Sequence, residues 1–558
     1  MWIILTSSSW DILHIRPRWG HFKNPLLPRI SFGAIHIKPL PGYSSYISLQ
    51  KKHMVPSGIF FPQSRSSFQP GLVAGQRYRH TFGDKRLALR YAALSGQMFG
   101  QQKVVVNQLS KTKSEQAGYY RFLSNPKVNP AELIYENSHL SKEDVKDKDI
   151  LVIQDQSSIG FRPKVRRKSY WQKALGVIDD NNTPGLYINC SLVIDWESRC
   201  VLGHGDMVLY SRPHNTLSEE QKQQARTARR KLPIEEQESF VWALGASNCK
   251  AQLEQSARHT FVMDQGSDKY EVLARMLADG LSDAIWRSKE NRQVLDDEGR
   301  PGKRLTDVLE GLAWGEGRPT VIRSLNHYSK TNGKQMQRQG RTALIHVRYA
   351  KIELALPSGL NRQVSRLSRP LYVVQAMEDP STVPLGEDPI NWRLLTTWPV
   401  HSEEQAWKVV EAYQARWFIE QLFRVLKKQG LDIEDTQLRT VQSIKNQIIM
   451  AASTAAKAMQ LTLARDGKTF IPIETMFDEQ QQALLGTLNE EYAGKTQKQT
   501  NPHNPKSLAW AAWVIARMGG WKGYASQRPP GPITMKRGLE KFEATEWAVG
   551  VLKRRKDM

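Results

Sequence analysis

Three acidic residues stand where carboxylates commonly do chemistry. Asp155 ends the apolar run ILVIQ and Asp264 ends the apolar run HTFVM, so we expect each to project from the end of a buried strand. Glu420 lies among cations in YQARWFIEQLFRVLKKQG. A set of carboxylates is costly unless cations neutralise it, and oxygen-only ligands suit Mg²⁺, with Mn²⁺ as a substitute. Two such ions, about 3.5–4 Å apart, would indicate phosphoryl transfer on DNA.

Each of these residues also has a simpler interpretation. A glutamate flanked by Arg and Lys at helical spacing is in most proteins an ion-paired, solvated face. An aspartate at a strand end is commonly a turn starter. The three together favour a metal site, because two strand ends and a helix bring carboxylates to one point only in a particular layered fold.

The segment around Glu420 has the period of one long helix, from about residue 403 to residue 428. At about 100° per residue, one stripe roughly 80° wide holds the polar residues, and Phe418, Ile419, Leu422, Val425 and Leu426 occupy the opposite side. The stripe contains Tyr413, Arg416, Glu420, Arg424 and Lys427. The pattern predicts an apolar face against the core and a carboxylate among cations on the other.

Composition restricts the class of partner. The 558 residues are enough for about two to four domains. The net charge of +24, from 79 Lys and Arg against 55 Asp and Glu, favours a polyanion, and we expect nucleic acid rather than a membrane. No apolar run is long enough for a membrane span and the first residues do not resemble a signal peptide, so we expect a cytoplasmic protein. Cys190, Cys200 and Cys249 have no metal-ligand spacing and are expected to pack in the core.

We divide the chain by texture into six segments. Those flanking the core are a weakly ordered basic arm at 1–72, a helical domain at 73–148 and a C-terminal helical region at 466–558. Met54 offers an internal start that would leave most of the arm outside the native product. The core occupies 149–286 and 402–465, with a β-rich insertion at 287–401 between its halves. The first part is expected to hold three antiparallel strands and then a parallel one. Basic residues at 330–369 and at 164–168 are expected to face DNA.

The pattern Y-x2-R-x3-E-x6-K, formed by Tyr413, Arg416, Glu420 and Lys427, resembles the signature of the DDE cut-and-paste transposases of the insertion-sequence-four family, Tn-five type. Further resemblance covers roughly residue 81 to the end, in GYYRFLSNPKV, VIQDQSS, MDQGSDKYEVL, PINWRLLTTWPV and PPGPITMKRGL. Where relatives often have Asp-Arg-Glu after the second catalytic strand, this chain has Asp-Gln-Gly, although the downstream Asp268 remains.

The resemblance implies an α/β, ribonuclease-H-like catalytic core in which Asp155, Asp264 and Glu420 bind metal. It implies that Tyr413, Arg416 and Lys427 contact DNA phosphates, and Arg424 is added from its place on the helical stripe. Trp392 would stack on a base flipped from the terminal duplex, and Arg287 would contact DNA.

The implied function is binding of terminal inverted repeats, strand cleavage and transfer to target DNA through a hairpin intermediate. The resemblance implies that the helical domain at 73–148 binds DNA, that the protein is a homodimer whose contacts lie in the C-terminal region, and that it acts in a bacterial cytoplasm at the nucleoid. Two other functions stay open. One is a catalytically inactive, DNA-binding relic of a transposase. The other is a ribonuclease-H-like nuclease that hydrolyses DNA without joining it.

Overall fold

The computed structural model describes residues 82–138, 140, 142–162, 168–214, 217–229, 232–322, 324–328, 335–358, 364, 366–367, 369–428, 430–494, 499–524, 527 and 529–556. The predicted arm at 1–72 and the basic residues Lys164, Arg166 and Arg167 lie outside these ranges. Parts of the basic tract at 330–369 lie outside them as well.

The described residues form strands throughout the middle of the chain. These are β1 (Asp149–Gly160), β2 (Gly185–Asp195), β3 (Val201–Tyr210), β4 (Arg258–Met263), β5 (Asp283–Arg287), β6 (Gln293–Leu295), β7 (Pro301–Arg304), β8 (Arg318–Ile322), β9 (Leu325–Tyr328), β10 (Gln335–Arg338), β11 (Arg341–Ile352), β12 (Leu371–Glu378) and β13 (Asn391–Thr396).

Helices flank these strands on both sides in sequence. Before and among the first strands they are α1 (Lys85–Gln101), α2 (Val106–Leu109), α3 (Lys113–Ser124), α4 (Pro130–Asn137), α5 (Lys142–Val145), α6 (Lys168–Leu175), α7 (Glu219–Arg229), α8 (Phe240–Leu253), α9 (Tyr270–Met276) and α10 (Leu305–Glu310). After the last strand they are α11 (Glu403–Gln414), α12 (Trp417–Lys427), α13 (Val441–Ala464), α14 (Glu479–Tyr492), α15 (Leu508–Met518) and α16 (Pro532–Lys556).

One nine-stranded mixed sheet organises the core, in the order β3-β2-β1-β4-β5-β13-β12-β11-β8. Strands β1, β2 and β3 form an antiparallel meander, and β4 then pairs in parallel with β1. Every residue of β2 is buried, as expected for a strand covered by helices on both faces. The expected arrangement of three antiparallel strands followed by a parallel one is confirmed.

The β-rich segment predicted at 287–401 continues this sheet, because β13 pairs with β5 and β12, β11 and β8 follow in turn. Within it, Arg341 is buried and bridges Glu378 and Glu387, each at 2.7 Å. Arg369 contacts Asp283 at 2.9 Å. These two cations of the basic tract therefore stabilise the protein, and the prediction that the tract as a whole faces DNA is wrong for them.

Helices cover both faces of the sheet. The apolar sides of α11 and α12 share one hydrophobic cluster with α13, and α8 and α9 belong to a second cluster on the opposite face. All three cysteines are buried and unpaired by disulfides, as predicted. No helix in the described part of the chain is both long and apolar enough to cross a membrane.

The amino-terminal helices are attached to the core through α13. The amide of Asn446 is fully buried and donates to the carbonyl oxygens of Leu123 and Val128, at 3.0 and 3.1 Å. The amide of Gln447 donates to Val104 O at 2.7 Å. Since buried carbonyl groups need partners, these side chains fix the loops of the helical domain against the core. Helices α14 to α16 form a third apolar cluster.

Candidate catalytic site

The strand register brings Asp155 and Asp264 to the same edge of the sheet. Ile153 of β1 pairs with Val262 of parallel β4, so Asp155 and Asp264, each two residues further on, stand at equivalent positions. Met263 pairs in turn with Trp286 of β5, which places Arg287 beside Asp264. Asp264 and Arg287 therefore lie where β4 and β5 end, whereas β1 continues beside β2 to Gly160. The prediction that Asp155 ends its strand is wrong, because the antiparallel pairing with β2 extends five residues beyond it. The register still places two carboxylates and a guanidinium in one row across the three strands.

Glu420 approaches this row from α12, which packs against β1. The helix buries Phe418, Ile419, Leu422 and Val425, the apolar side predicted from the sequence, and leaves Glu420 on its partly exposed side. Alternation along β1 directs Asp155 to the same face of the sheet as Ile153, whose side chain belongs to the cluster under α12. The helix thus sets its glutamate over the strand that carries the aspartate.

The prediction of one continuous helix from about residue 403 to residue 428 is wrong. Helix α11 ends at Gln414 and α12 begins at Trp417. At the junction the backbone N–H of Arg416 donates to the carbonyl oxygen of Tyr413, three residues earlier, at 3.0 Å, which is the tighter 3₁₀ pattern and not the α-helical one. Tyr413 is consequently 5 % exposed and is not on an open charged face with Glu420. Arg416 stands at the junction itself, as the residue preceding α12.

The guanidinium of Arg416 joins two of the three carboxylates. Its Nη1 lies 2.6 Å from Asp155 Oδ2, and its Nη2 donates to Glu420 Oε1. The three side chains are 21 %, 15 % and 28 % exposed, so this bridge lies in a cleft that solvent reaches. Asp264 is oriented separately, because its Oδ1 accepts the backbone N–H of Gly266 at 2.7 Å.

The electrostatics show that the three carboxylates share one neighbourhood. Burial, and next the negative charge of Asp264, raise the pKa of Asp155 to about 7, with a smaller contribution from Glu420 and an opposing one from Arg416. Burial alone would lower the pKa of Arg416, but Asp155 and Glu420 raise it well above its ordinary value. Arg416 therefore interacts electrostatically with all three carboxylates.

The donor atoms of the site bear on whether it can hold a metal ion. In the part of the chain that the structure describes, no group of three or more His, Cys, Asp or Glu side chains is arranged so that it could hold one. The donors are nevertheless all carboxylate oxygens, which is the chemistry that Mg²⁺ and Mn²⁺ prefer. The guanidinium of Arg416 supplies positive charge between Asp155 and Glu420. The donor chemistry fits a divalent cation, and Arg416 holds two of the donors.

Aromatic residues flank the row on the Asp264 side. The ring of Trp392, on β13, meets the ring of Tyr413 edge-on, with centroids 5.3 Å apart. Arg287 Nη2 donates to Asn391 O at 3.2 Å. Burial raises the pKa of Tyr413, and the nearby Arg416 and Arg287 lower it while Asp264 raises it. Three of the predicted DNA-contacting residues thus lie beside the carboxylates.

The other two predicted DNA contacts lie further along α12. Arg424 stacks on Trp417, with Cζ 4.5 Å from the ring centroid. Lys427 Nζ lies 4.0 Å from Glu434 Oε1, and burial lowers its pKa. Seven residues separate Lys427 from Glu420, about 10 Å along the helix axis. Lys427 is therefore not brought to the three carboxylates, whereas burial lowers the pKa of Arg424 and the charge of Glu420 opposes that shift.

A buried hub holds the loop that carries Asp264, and nothing in the spacing of the sequence revealed it. Asp268 is the carboxylate at its centre, with 1 % of its side chain exposed, and Arg292, 8 % exposed, is its charged partner. The carboxylate accepts hydrogen bonds from Trp286 Nε1, Ser288 Oγ, Lys289 N, Glu290 N and Arg292 Nη1. The hub ties the turn after β4 to the loop after β5, and therefore Asp264 to Arg287.

Comparison with known families agrees with this geometry. Residues 247–456 match a family model described as the transposase DDE domain. The matched segment contains Asp264 and Glu420, whereas Asp155 precedes it. The large mixed sheet with helices on both faces and helical flanks is consistent with a ribonuclease-H-like domain of this kind. The match, together with three carboxylates assembled at one end of the sheet, supports a DDE transposase.

Proposed function

We propose that this protein is a cut-and-paste DNA transposase whose catalytic residues are Asp155, Asp264 and Glu420. The observation that carries the proposal is their convergence from β1, β4 and α12 onto one cleft, where Arg416 lies against two of them. The segment that holds Asp264 and Glu420 is also the one that matches the transposase DDE domain.

In this proposal the substrate is double-stranded DNA, first the terminal inverted repeats of a mobile element and then target DNA. Mg²⁺, as two ions for which Mn²⁺ can substitute, would activate the attacking oxygen and stabilise the leaving oxygen. Attack of water on phosphorus would break the bond to the 3′ oxygen and leave a 3′-hydroxyl and a 5′-phosphate. That hydroxyl would then attack the opposite strand to form a hairpin, and after hairpin opening would attack target DNA.

The flanking residues have roles that suit a DNA end. Trp392 is half-buried against Tyr413, so its remaining face is available to stack on a flipped base. Arg287 and Arg416 lie beside the carboxylates and would contact phosphates near the cleaved bond. Arg424 and Lys427, about one and two helical turns beyond Glu420, suit phosphates further along the duplex, which supports an extended contact of the protein with the DNA backbone.

Assembly is the remaining part of the proposal. Transposition joins two ends of one element, and we propose a homodimer that holds them together through the C-terminal helices. An exposed Trp547 and an exposed Leu552 on α16 support a contact there. Sedimentation of the protein with and without a duplex carrying the terminal repeat should give a complex of two chains and two duplexes.

The test of the catalytic assignment is the Glu420→Gln variant. We expect it to bind a duplex carrying the repeat that brackets the reading frame as wild type does, and to release no end-labelled product in Mg²⁺. The matched control is Glu411→Gln, an exposed glutamate of the neighbouring helix α11, which should cleave normally.

The products separate the alternatives. Joined strands from the wild-type protein support transposition. Cleaved but unjoined DNA would support a nuclease, and binding without any cleavage would support an inactive relic. Cleavage by Glu420→Gln at the wild-type rate would contradict the assignment of this carboxylate.

A further inference from the structure

The contacts of the Arg416 guanidinium affect when the carboxylates are available to a metal ion. Its two terminal nitrogens engage separate carboxylates, Asp155 from the sheet and Glu420 from the helix. Both accepting oxygens belong to the set that a divalent cation would need, and no group able to hold a metal is formed among the described residues. The guanidinium and a metal ion therefore compete for the same oxygens.

We propose that Arg416 is a positioning residue that closes the carboxylate site in the DNA-free protein, and that a DNA phosphate opens the site by drawing the guanidinium away. The proposal rests on the proposed function, since it takes a DNA end as the displacing anion. Arg416 would thereby link DNA binding to ion binding.

The position of Arg416 makes this exchange feasible. The residue lies at the junction of α11 and α12 and is 21 % exposed, so its guanidinium is within reach of a ligand in the cleft. Rotation of the long side chain moves the charge while the backbone of both helices stays in place. The two non-bridging oxygens of a phosphodiester can accept both N–H donors of the guanidinium fork, which Asp155 and Glu420 now accept separately.

The exchange also keeps the charge of the cleft balanced. Three carboxylates without a cation would repel each other. With Arg416 inward the cleft is partly neutralised without metal. With Arg416 on a phosphate, the carboxylates need a different cation, so the affinity for a divalent ion should rise.

The affinities for the ion and for the DNA end are linked thermodynamically, so either affinity can be measured. If a DNA end increases the affinity for the ion by some factor, then the ion increases the affinity for the DNA end by the same factor. Couplings of this kind are commonly about 5–150-fold. Removal of Arg416 should produce the open site without DNA.

Helix α12 provides a matched control. Arg416 is four residues before Glu420 and Arg424 is four residues after it, so each is a cation one turn from the same glutamate. Arg416 contacts the carboxylates, whereas Arg424 stacks on Trp417. Loss of either charge changes the net charge equally, and only one loss frees the oxygens.

The experiment is calorimetric titration of the full-length, DNA-free protein with Mn²⁺. Arg416→Gln should bind Mn²⁺ about 5–150-fold more tightly than wild type. Arg424→Gln should tighten binding by a much smaller factor, because its charge acts on Glu420 while its guanidinium stacks on Trp417. The gain should disappear in the double variant Arg416→Gln, Glu420→Gln, which places the ion at these carboxylates. Equal tightening by both arginine variants, or none by Arg416→Gln, would overturn the proposal.

A second measurement covers the case in which Arg416→Gln fails to fold, as judged by circular dichroism. Anisotropy of a labelled end duplex bound to the wild-type protein, at constant ionic strength, should show tighter binding in Ca²⁺ than in EDTA. Glu420→Gln should lose that difference. Equal affinities in the two buffers for the wild-type protein would refute the link.

The proposal and the proposed function fail separately. If Arg416→Gln tightens Mn²⁺ binding and the wild-type protein joins no DNA, the closed site stands and transposition does not. If the wild-type protein joins DNA and Arg416→Gln leaves Mn²⁺ binding unchanged, transposition stands and the closed site does not.

Discussion

The buried hub at Asp268 gives the sharpest stability prediction. Oδ2 of this carboxylate accepts the backbone N–H groups of Lys289 and Glu290, at 2.6 and 2.9 Å, and Oδ1 accepts from Arg292. The substitution Asp268→Asn keeps the shape and replaces one oxygen by an NH₂ group. Whichever way the amide turns, a donor faces donors, and the charge of Arg292 is left buried without its partner.

The magnitude follows from that loss. Removal of one member of a buried ion pair costs about 3–5 kcal/mol, and the exposures of 1 % and 8 % place this pair in that class. The cost should fall on the two loops that the hub joins, the turn holding Asp264 and the segment 287–292. At 1.4 kcal/mol per factor of ten, their opening should become about 10²–10³-fold more frequent.

Hydrogen–deuterium exchange followed by mass spectrometry measures this opening directly. Peptides from 264–292 should exchange faster in Asp268→Asn by that factor, while peptides from α13 should keep the wild-type rate. DNA cleavage should fall as well, because the Asp264 loop is no longer held, with DNA binding retained. The control is Asp297→Asn, an exposed aspartate of the same region. Unchanged exchange in 264–292 for Asp268→Asn would refute the reasoning.

Three further outcomes are expected. Burial and the charge of Asp264 raise the pKa of Asp155 to about 7, from 3.8 in the unfolded chain. Between these two pH values Asp155 is protonated in the folded protein and ionised in the unfolded chain. Its contribution to the free energy of unfolding therefore falls as pH rises through that window. The melting temperature of Asp155→Asn minus that of wild type should therefore be larger at pH 8 than at pH 5. An equal difference in melting temperature at the two pH values would contradict the raised pKa of Asp155. Gly538→Ala should lower the melting temperature, because a Cβ at this position would clash with a backbone oxygen of α15, at 1.9 Å. The control is Gly486→Ala on α14, where a Cβ would meet nothing within 4 Å. Trp392→Leu should slow hairpin formation more than first-strand nicking, measured on one end-labelled duplex, and equal slowing would remove its role with a flipped base.

Much of the fold was predictable from local pattern. The apolar runs that end at Asp155 and Asp264 became β1 and β4, because short apolar segments bounded by polar residues suit buried strands. The helical period around Glu420 identified the buried side of α12 correctly. Periodicity could not reveal the junction at Arg416, since both of its residues keep nearly helical backbone angles and only the tighter hydrogen bonds distinguish it.

The contacts of the candidate site could not be predicted from the sequence. The resemblance proposed the carboxylates and the cations of the signature and assigned Arg416 to DNA, and the structure places the guanidinium of Arg416 against Asp155 and Glu420. It gave no role to the partnership of Asp268 and Arg292, which are 24 residues apart and meet only because β4 and β5 are neighbours.

The amino-acid sequence by itself determined most elements of this protein, the positive charge that favours an anionic partner, and the carboxylates that we propose as catalytic. These properties are local or additive, so each can be read from residue types and spacing. The tertiary structure alone decided that β11 to β13 continue the core sheet, that Tyr413 is buried, and that Arg416 contacts Asp155 and Glu420. These depend on strand order and helix placement, because long-range pairing brings together side chains whose separation along the chain carries no record of their contact.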